Sequence, residues 1–513
     1  MNNEEISMHI KKSLSLLGVA LGLGAMQVSL AGPMTNKIKG VGPSNNLVNP
    51  YICIQNSSGQ VTYVLAPGQT VDDASKYSGN PYYVGATLRF GGCTEENTYL
   101  GYMGFGTNSI SYSPPQGVHI KLSDDKKIDS AGNVTGSIQY TSIAYNPNLV
   151  TPKTNNSWDF VGINLSGLEF GKVIDPVVVP NLSAEDAAGK FSDLNEVQSF
   201  INAGMNTIRV PISWGYLQLD GPGKGELNKE YFDSYVKPLL ETLTNAKTNA
   251  IVDLHAYMRY STFGKEYSGC NVDGKCPDGT LIVDPNAYID VWTKLYTLIK
   301  NDNKINMNYI LFDLMNEPVD VPNKSVFTIQ AKVINALRQR GFQGYILVEG
   351  NSWSGLHSWT TERWTGDDGV VYTNATLFTK DNFAKEGVTD LSKIIINAHQ
   401  YLDSDYSGTH NTCQTELKTT GEKGFNLDAF RDYLQQNQLK AIVTEFGGGT
   451  DSSSCRVAMT SFLNYMKDNS AKKNNNNYGF VGWTIWSAGH GWGNYNLRVT
   501  PASYQMQVLK NYL

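Results

Sequence analysis

Residues 310–320 read ILFDLMNEPVD, an apolar run that stops abruptly at Asn316, Glu317 and Pro318. A near-continuous run of apolar side chains suits a strand buried on both faces, and proline, which has no amide hydrogen to donate, marks where its pairing ends. Taken alone, a glutamate in such a place is as a rule a solvated loop residue. Further runs of the same kind argue for more: DFVGINLSG, NTIRVPIS, NAIVDLHAY, YILVEG, KIIINAHQYL, KAIVTEFGG and FVGWTIWSAG. Each stays apolar until its last two or three positions and then turns polar or aromatic.

Helix-length segments lie between the runs, at 186–203, 229–248, 285–301, 326–341 and 427–437. Strands alternating with helices require a parallel sheet, and eight such units over residues 158–513 predict a closed (β/α)8 barrel rather than an open sheet. In that architecture the carboxyl ends of the strands gather at one rim, where chemistry is built. The runs deliver to it Arg209 (a little inside), His255, Asn316, Glu317, Glu349, His399, Tyr401, Glu445 and Trp486. Glu317 therefore ends its run because it has to stand at the rim.

Upstream the composition changes. All nine tryptophans fall at or after Trp158, whereas tyrosine is plentiful before it. Residues 48–145 consist of short β-prone runs (QVTYVLA, YYVGATLRF, GVHIKLS, GSIQYTSIAY) between Gly, Asn, Ser and Pro turns, which predict a small all-β accessory domain, expected as a sandwich. Residues 146–157, NPNLVTPKTNNS, read as a linker. Residues 1–31 read as a secretory signal peptide: Lys11 and Lys12, a short Gly-rich apolar stretch, then Ser29, Leu30 and Ala31 as a cleavage signal, with Met8 as an alternative start. A retained membrane anchor is the competing reading. No other run approaches the length of a membrane-spanning helix, so the mature protein is expected to be secreted and monomeric, with no membrane partner.

The 513 residues carry a formal charge of −6 with 17% charged side chains, and no dense basic block follows the first dozen residues, which excludes a nucleic-acid footprint. A neutral, polar partner fits better. Six cysteines in an exported chain suggest disulfides; their clustering pairs Cys53 with Cys93, Cys270 with Cys276 and Cys413 with Cys455. Zinc is disfavoured, since no C-x-x-C pair occurs. No G-x-S-x-G, Walker loop or full dinucleotide fingerprint is present either, so neither a metal nor a cofactor is expected.

With VDLHAY, LFDLMNEP, LVEGNSWSG, HQYLDSDYSGTHNTC, TEFGGG and GWTIWSAGHGWGNY in place, the chain from 158 to 513 resembles glycoside hydrolase family 5, the cellulase-type (β/α)8 retaining hydrolases, and within it the fungal-type endoglucanase subfamily. The resemblance implies that Glu317, closing the fourth strand, is the acid/base and Glu445, closing the seventh, the nucleophile. Such a pair needs one protonated and one ionised carboxyl, roughly 5–5.5 Å apart for the covalent route. Arg209 and Tyr401 would favour the ionised form of Glu445. By the same resemblance Asn316 holds a sugar 2-hydroxyl, His255 and His399 bind hydroxyls and keep the carboxylates in place, and Trp486 stacks beneath the sugar, followed by a cis peptide. Trp353, Trp359 and Trp492 are candidates for flanking subsites, with loop packing as the alternative. Glu349 is expected to make a structural hydrogen bond, and Cys413–Cys455 to tether the loops after the sixth and seventh strands.

Two features depart from the family pattern. Ala256 stands where relatives usually carry Asn, and the insert at 261–279 has no clear counterpart. The implied activity is that of a secreted endo-β-1,4-glucanase acting on β-glucan polysaccharide or cello-oligosaccharide. Another β-1,4-glycanase of the family, such as a mannanase or mixed-linkage glucanase, or a non-catalytic sugar-binding protein are the alternatives. The N-terminal domain could bind polysaccharide through tyrosines, attach to a surface or act as a spacer.

Overall fold

The structure, a computed structural model, describes residues 33–41, 49–80, 84–89, 92–93, 99–106, 109–113, 120–140, 151–152, 158–174, 177–180, 192–261, 267–268, 275–276, 279–416 and 427–513. The expected signal peptide, most of the expected linker, most of the insert at 261–279 and the Cys270–Cys276 pairing lie outside these residues. Among the described residues no helix is long and apolar enough to cross a membrane.

Eight strands close into a parallel barrel: β1 (Phe160–Leu165), β2 (Thr207–Ile212), β3 (Asn249–Leu254), β4 (Ile310–Asp313), β5 (Ile346–Glu349), β6 (Ile394–Tyr401), β7 (Lys440–Gly447) and β8 (Gly479–Ala488). Every expected run supplies its strand. β8 returns to β1, with Phe160 opposite Gly482, and β1 meets β2 with Gly162 opposite Thr207. Both glycines are required by close approach: a Cβ on Gly162 would stand 1.6 Å from Thr207 O, and one on Gly482 1.7 Å from Phe160 O.

Strand alternation divides the core in two. Side chains such as Ile208, Val210, Ile212, Val252, Leu254, Phe312, Val348 and Ile396 pack in the large cluster with residues of the surrounding helices. The opposite parity, Phe160, Ile251, Leu311, Leu347, Ile395, Ile442 and Val481, forms a separate apolar cluster inside the barrel. Burial of both faces is why the strands read as continuous apolar runs.

The helices expected at 285–301 and 427–437 are found at those bounds, as Pro285–Asn301 and Leu427–Asn437, and that at 326–341 as Ser325–Gln339. The segment 229–248 is not one helix. It starts at Lys229–Tyr231, widens to a π-turn at Phe232–Val236 and resumes as Lys237–Asn245. Pro238 explains the change: it has no amide hydrogen for the carbonyl of Ser234 and its ring crowds that group, so the turn before it opens.

A strand-rich region precedes the barrel. In the smaller of the chain's two units, a five-stranded antiparallel sheet takes Val61–Leu65, Tyr51–Gln55, Val84–Arg89, Tyr99–Gly106 and Ser109–Ser113 in that order. Cys53 and Cys93 are bonded within it. Met34–Val41, ahead of the first expected strand, pairs with Thr70–Val71, and Lys127–Ile128 pairs with Asn133–Tyr140.

The π-turn region has a consequence for stability. Glu230 is 4% exposed and neither carboxyl oxygen has a hydrogen-bond partner among the described residues. Burial pushes this carboxyl up to about 7. The folded state thus holds this proton more tightly than the unfolded chain, so the contribution of Glu230 to stability is greatest at low pH and falls as pH rises through the interval up to about 7. Glu230→Gln is expected to melt at a higher temperature than the wild type at pH 8 and at nearly the same temperature at pH 5. Equal melting temperatures at pH 8 would show that Glu230 ionises without cost.

Candidate active site

Two positions along from the inner apolar residues, the same strand parity places Asp253, Asp313, Glu349, Asn397 and Thr444, all with no exposed surface. A ring of carboxylates inside a protein is unfavourable without a counter-charge. Arg209, on β2 and equally buried, supplies it. Its Nε donates to Asp313 Oδ2 (3.0 Å), Nη1 to Asn164 Oδ1 (3.1 Å) and Glu445 Oε1 (2.6 Å), and Nη2 to Asn316 Oδ1 (2.8 Å). Asp253 Oδ2 lies 3.0 Å and Glu349 Oε1 3.4 Å from Nη2. One side chain thus joins β1, β3, β4, β5 and β7 to β2.

Above this layer stand the two predicted glutamates. Glu445 is 3% exposed; its second oxygen accepts from Tyr401 OH at 2.7 Å. Burial opposes its charge, but His399, Arg209, His255 and the Tyr401 hydroxyl outweigh that and hold it down to about 2. Glu317 has the opposite balance. Burial raises its carboxyl and the Glu445 charge adds to the effect, against the hydrogen bond from His399. His399 Nδ1 is 2.7 Å from Glu317 Oε1 and 3.8 Å from Glu445 Oε2. Thr444 Oγ1 donates to Asn397 Oδ1 (2.8 Å), so at 3.0 Å it accepts from His399 Nε2, which fixes that proton. One oxygen of each glutamate and one nitrogen of His399 lie within 4.8 Å of one another.

The chain holds Glu317 in place by unusual backbone. β4 ends at Asp313, three residues before Asn316, rather than running to the Asn-Glu-Pro triplet. Asn316 N still reaches Leu254 O (2.9 Å), and Glu317 adopts a left-handed φ of 45°, with its amide donating to Glu349 Oε2 at 2.7 Å. Glu349 therefore has the structural role expected of it, also accepting from Asn397 Nδ2 at 2.8 Å.

His255 is oriented by Asp253 (Nδ1 to Oδ2, 2.8 Å), and its other nitrogen faces Asn316 Nδ2 and Tyr257 OH, each at 3.3 Å. Its ring stacks at 5.5 Å on Trp486, and the Trp486–Ser487 peptide is cis. Trp492 meets Trp486 edge-on, stacks on Tyr495 at 4.3 Å and touches the exposed Phe170. Trp353 is 55% exposed, and its amide donates to Pro318 O at 3.0 Å. Of the two readings open for Trp359, the packing one holds: it has no exposed surface and packs on Phe378, Phe430 and Tyr433. Cys413 and Cys455 are bonded, tying the loop after β6 to the helix after β7.

Several side chains escaped the sequence reading. Asp253 and Asp313 were legible as charges at inward parity within apolar runs. Tyr257, beside Ala256, had no such signal, since Tyr257 and Met258 both take left-handed φ values, 56° and 57°, that turn the loop back over the site. Among the described residues, two groups have donor atoms close enough to hold a metal ion: Glu317, His399 and Glu445, and, in the loop after β6, Asp403, Asp405 and His410. In the second, Asp403 is already engaged by the amides of Gly408 and His410 and by the hydroxyl of Ser407.

Comparison with known proteins agrees with this geometry. The family model described as Cellulase (glycosyl hydrolase family 5) matches residues 175–489. Endoglucanase 1 of Robillarda sp. is 34% identical over 267 residues, 52% of this chain and 60% of that protein. A probable endo-beta-1,4-glucanase B of Neosartorya fischeri is 28% identical over 386 residues, 74% of this chain and 99% of that one. The solved structure of XacCel5A in complex with cellopentaose superimposes with a TM-score of 0.53 at 29% identity, covering 70% of this chain and 100% of that chain.

Arg209→Met tests the ionic layer. Removing the cation strands Glu445, Asp253 and Glu349 in the interior, and a loss of ~3–5 kcal/mol is expected in denaturant unfolding at pH 7. A loss below ~1 kcal/mol would mean that the carboxyls shed their charge instead.

Proposed function

The chain belongs to the cellulase family, glycosyl hydrolase family 5, and from that premise we propose that it is a secreted endo-β-1,4-glucanase that cleaves internal glucosidic bonds with retention of configuration. The observation that carries the reading is the pairing of two carboxyls at one barrel mouth, Glu317 partly buried and held above the ordinary range, Glu445 buried and held below it. Their close approach, oxygens within 4.8 Å of His399 and of each other, fits the ~5–5.5 Å spacing of direct displacement better than the ~6.5–9.5 Å that admits a water.

In this reading Glu445, ionised, attacks the anomeric carbon while Glu317 gives its proton to the departing glycosidic oxygen, leaving a glycosyl ester on Glu445. Water then attacks the same carbon, Glu317 takes its proton, and Glu445 leaves as carboxylate. Arg209 and Tyr401 stabilise the departing carboxylate, and His399 positions Glu317 and exchanges its proton. Asn316 holds the sugar 2-hydroxyl, Trp486 stacks beneath the ring at the cleavage point, and Tyr257 joins His255 at the hydroxyls. Because the proton goes to the leaving side, the sugar beyond the cleaved bond lies toward Glu317, where Trp353 offers its exposed indole. Phe170 and Trp492 serve the opposite flank. Export is supported by the apolar stretch after Lys12 and by the paired cysteines.

Glu317→Gln is expected to lose ~10²–10⁴-fold in kcat on carboxymethyl cellulose, yet much less on dinitrophenyl β-cellobioside, whose leaving group needs no proton. Glu445→Gln should lose activity on both, and proton NMR should show a β-configured first product from wild type. Wild-type rates for Glu317→Gln on the polymer would refute the assignment. A parallel assay on mannan and mixed-linkage glucan ranks the substrates.

Trp353→Ala is expected to cut cellopentaose cleavage ~10-fold while leaving nitrophenyl β-cellobioside hydrolysis unchanged, since the latter has no sugar on the leaving side. Equal losses on both would remove Trp353 from that subsite.

A further inference from the structure

We propose that Arg259 is a positioning residue for Glu317: its guanidinium ties the loop after β3 to the segment after β4 and so sets where the acid/base carboxyl stands. The role rests on the function proposed above for Glu317.

Both loops leave their strands on strained backbone. After β3, Tyr257 and Met258 take left-handed φ values of 56° and 57°; after β4, Glu317 and Asp320 take 45° and 52°. Non-glycine residues keep such conformations where surrounding bonds over-determine them. On one side of the Glu317 segment those bonds come from β5 and its loop. Glu349 Oε2 accepts from the Glu317 amide (2.7 Å), the Trp353 amide donates to Pro318 O (3.0 Å), and Asn351 accepts from the Val321 amide (3.2 Å) and donates to the Val321 carbonyl (3.0 Å). On the β3 side, Tyr257 N donates to Asn316 O at 3.0 Å. Beyond that point Arg259 makes the connection: its Nη1 donates to Val319 O at 2.8 Å and to Tyr257 O at 3.2 Å.

One nitrogen therefore spans carbonyls of two loops, and the rigid plane of the guanidinium fixes the directions in which it does so. The side chain is also held at its root. Arg259 pairs with Leu281 and Tyr260 with Thr280 in a short antiparallel ribbon, and Ile282 N donates to Met258 O at 2.9 Å. An ion pair is no substitute for this role: Asp320 lies 4.0 Å from Nη2 and is 86% exposed, so it contributes little.

Glu317 stands two residues before Val319. Without the guanidinium, the β3 loop and the β4 segment are free to part while Glu349 and Trp353 still hold the far side. The carboxyl of Glu317 then shifts against the glycosidic oxygen. Glu445, on β7 and bound by Arg209 and Tyr401, keeps its place. The loss thus falls on proton delivery and spares nucleophilic attack.

The test measures kcat/KM of Arg259→Met on carboxymethyl cellulose and on dinitrophenyl β-cellobioside, with wild type and Glu317→Gln alongside. A reduction on the order of 10²-fold is expected on the polymer, the cost of a misplacement of about 1 Å. On the dinitrophenyl substrate kcat/KM should be nearly unchanged, since it reports a step that needs no proton. Arg259→Lys, which can keep one of the two carbonyl bonds, should recover part of the polymer activity with the same difference between substrates. Equal losses on both substrates would overturn the proposal, because general damage to the site produces them; so would wild-type activity on the polymer. Glu317→Gln separates the proposal from the reading beneath it: if that variant shows no difference between substrates, the acid/base assignment falls and the role of Arg259 with it. If Arg259→Met melts early, Arg259→Lys carries the comparison.

Discussion

A single guanidinium inside the barrel sets the terms for everything around it. Arg209 has no exposed surface, and its nitrogens reach acceptors on five other strands. Withdrawing a cation from water costs several kcal/mol, which only good geometry and a full set of partners recover. That requirement makes the barrel's closure and the site's electrostatics one problem: if the strands shift register, the guanidinium loses acceptors and the carboxylates lose their counter-charge. The same cation, with His399, holds Glu445 down, while Glu317, which Arg209 does not touch, stays raised by burial and by the charge on Glu445. The asymmetry between two chemically identical side chains thus comes from which groups reach each one: His399, Arg209, His255 and the Tyr401 hydroxyl together hold Glu445 down.

The rim around this centre is backbone under load. Glu317, Tyr257, Met258, Ser352, Trp353 and Ser354 all take left-handed φ values, from 45° to 57°, which non-glycine residues adopt at a cost of order 1 kcal/mol or more each. Such conformations persist where surrounding bonds over-determine them. Here Glu349 binds the Glu317 amide, Pro318 O binds the Trp353 amide, Asn316 O binds the Tyr257 amide, and Ser354 Oγ donates to Asn397 O at 2.6 Å while its carbonyl accepts from His399 N. The rigid lower barrel thereby pins the loops that carry Glu317, Tyr257 and Trp353.

How much of this could be read beforehand differs from residue to residue. Glu317, Glu445, His255, His399 and Tyr401 each end an apolar run, and a closed parallel barrel has only one place for strand ends to meet. Asp253 and Asp313 were equally visible as inward charges, but a local reading takes them as interruptions of a strand, because their partner Arg209 lies on another one. Trp353 and Trp359 look alike in GNSWSGLHSW, six residues apart. A left-handed turn sends the first outward, while the second drops among Phe378, Phe430 and Tyr433. Hydrophobicity alone has no means of telling them apart.

Taken by itself, the chain determined the barrel, its eight strands, the cysteine pairs at 53–93 and 413–455 and the identity of the residues at the rim. These follow from period, parity and punctuation, which are local properties of the chain. Tertiary structure alone decided which carboxyl is held up and which down, that His399 bridges them, that β4 stops at Asp313 and that Tyr63 lies against Tyr77. Each depends on groups far apart in sequence coming within a few ångströms, where burial and Coulomb forces act through space and no local pattern records them.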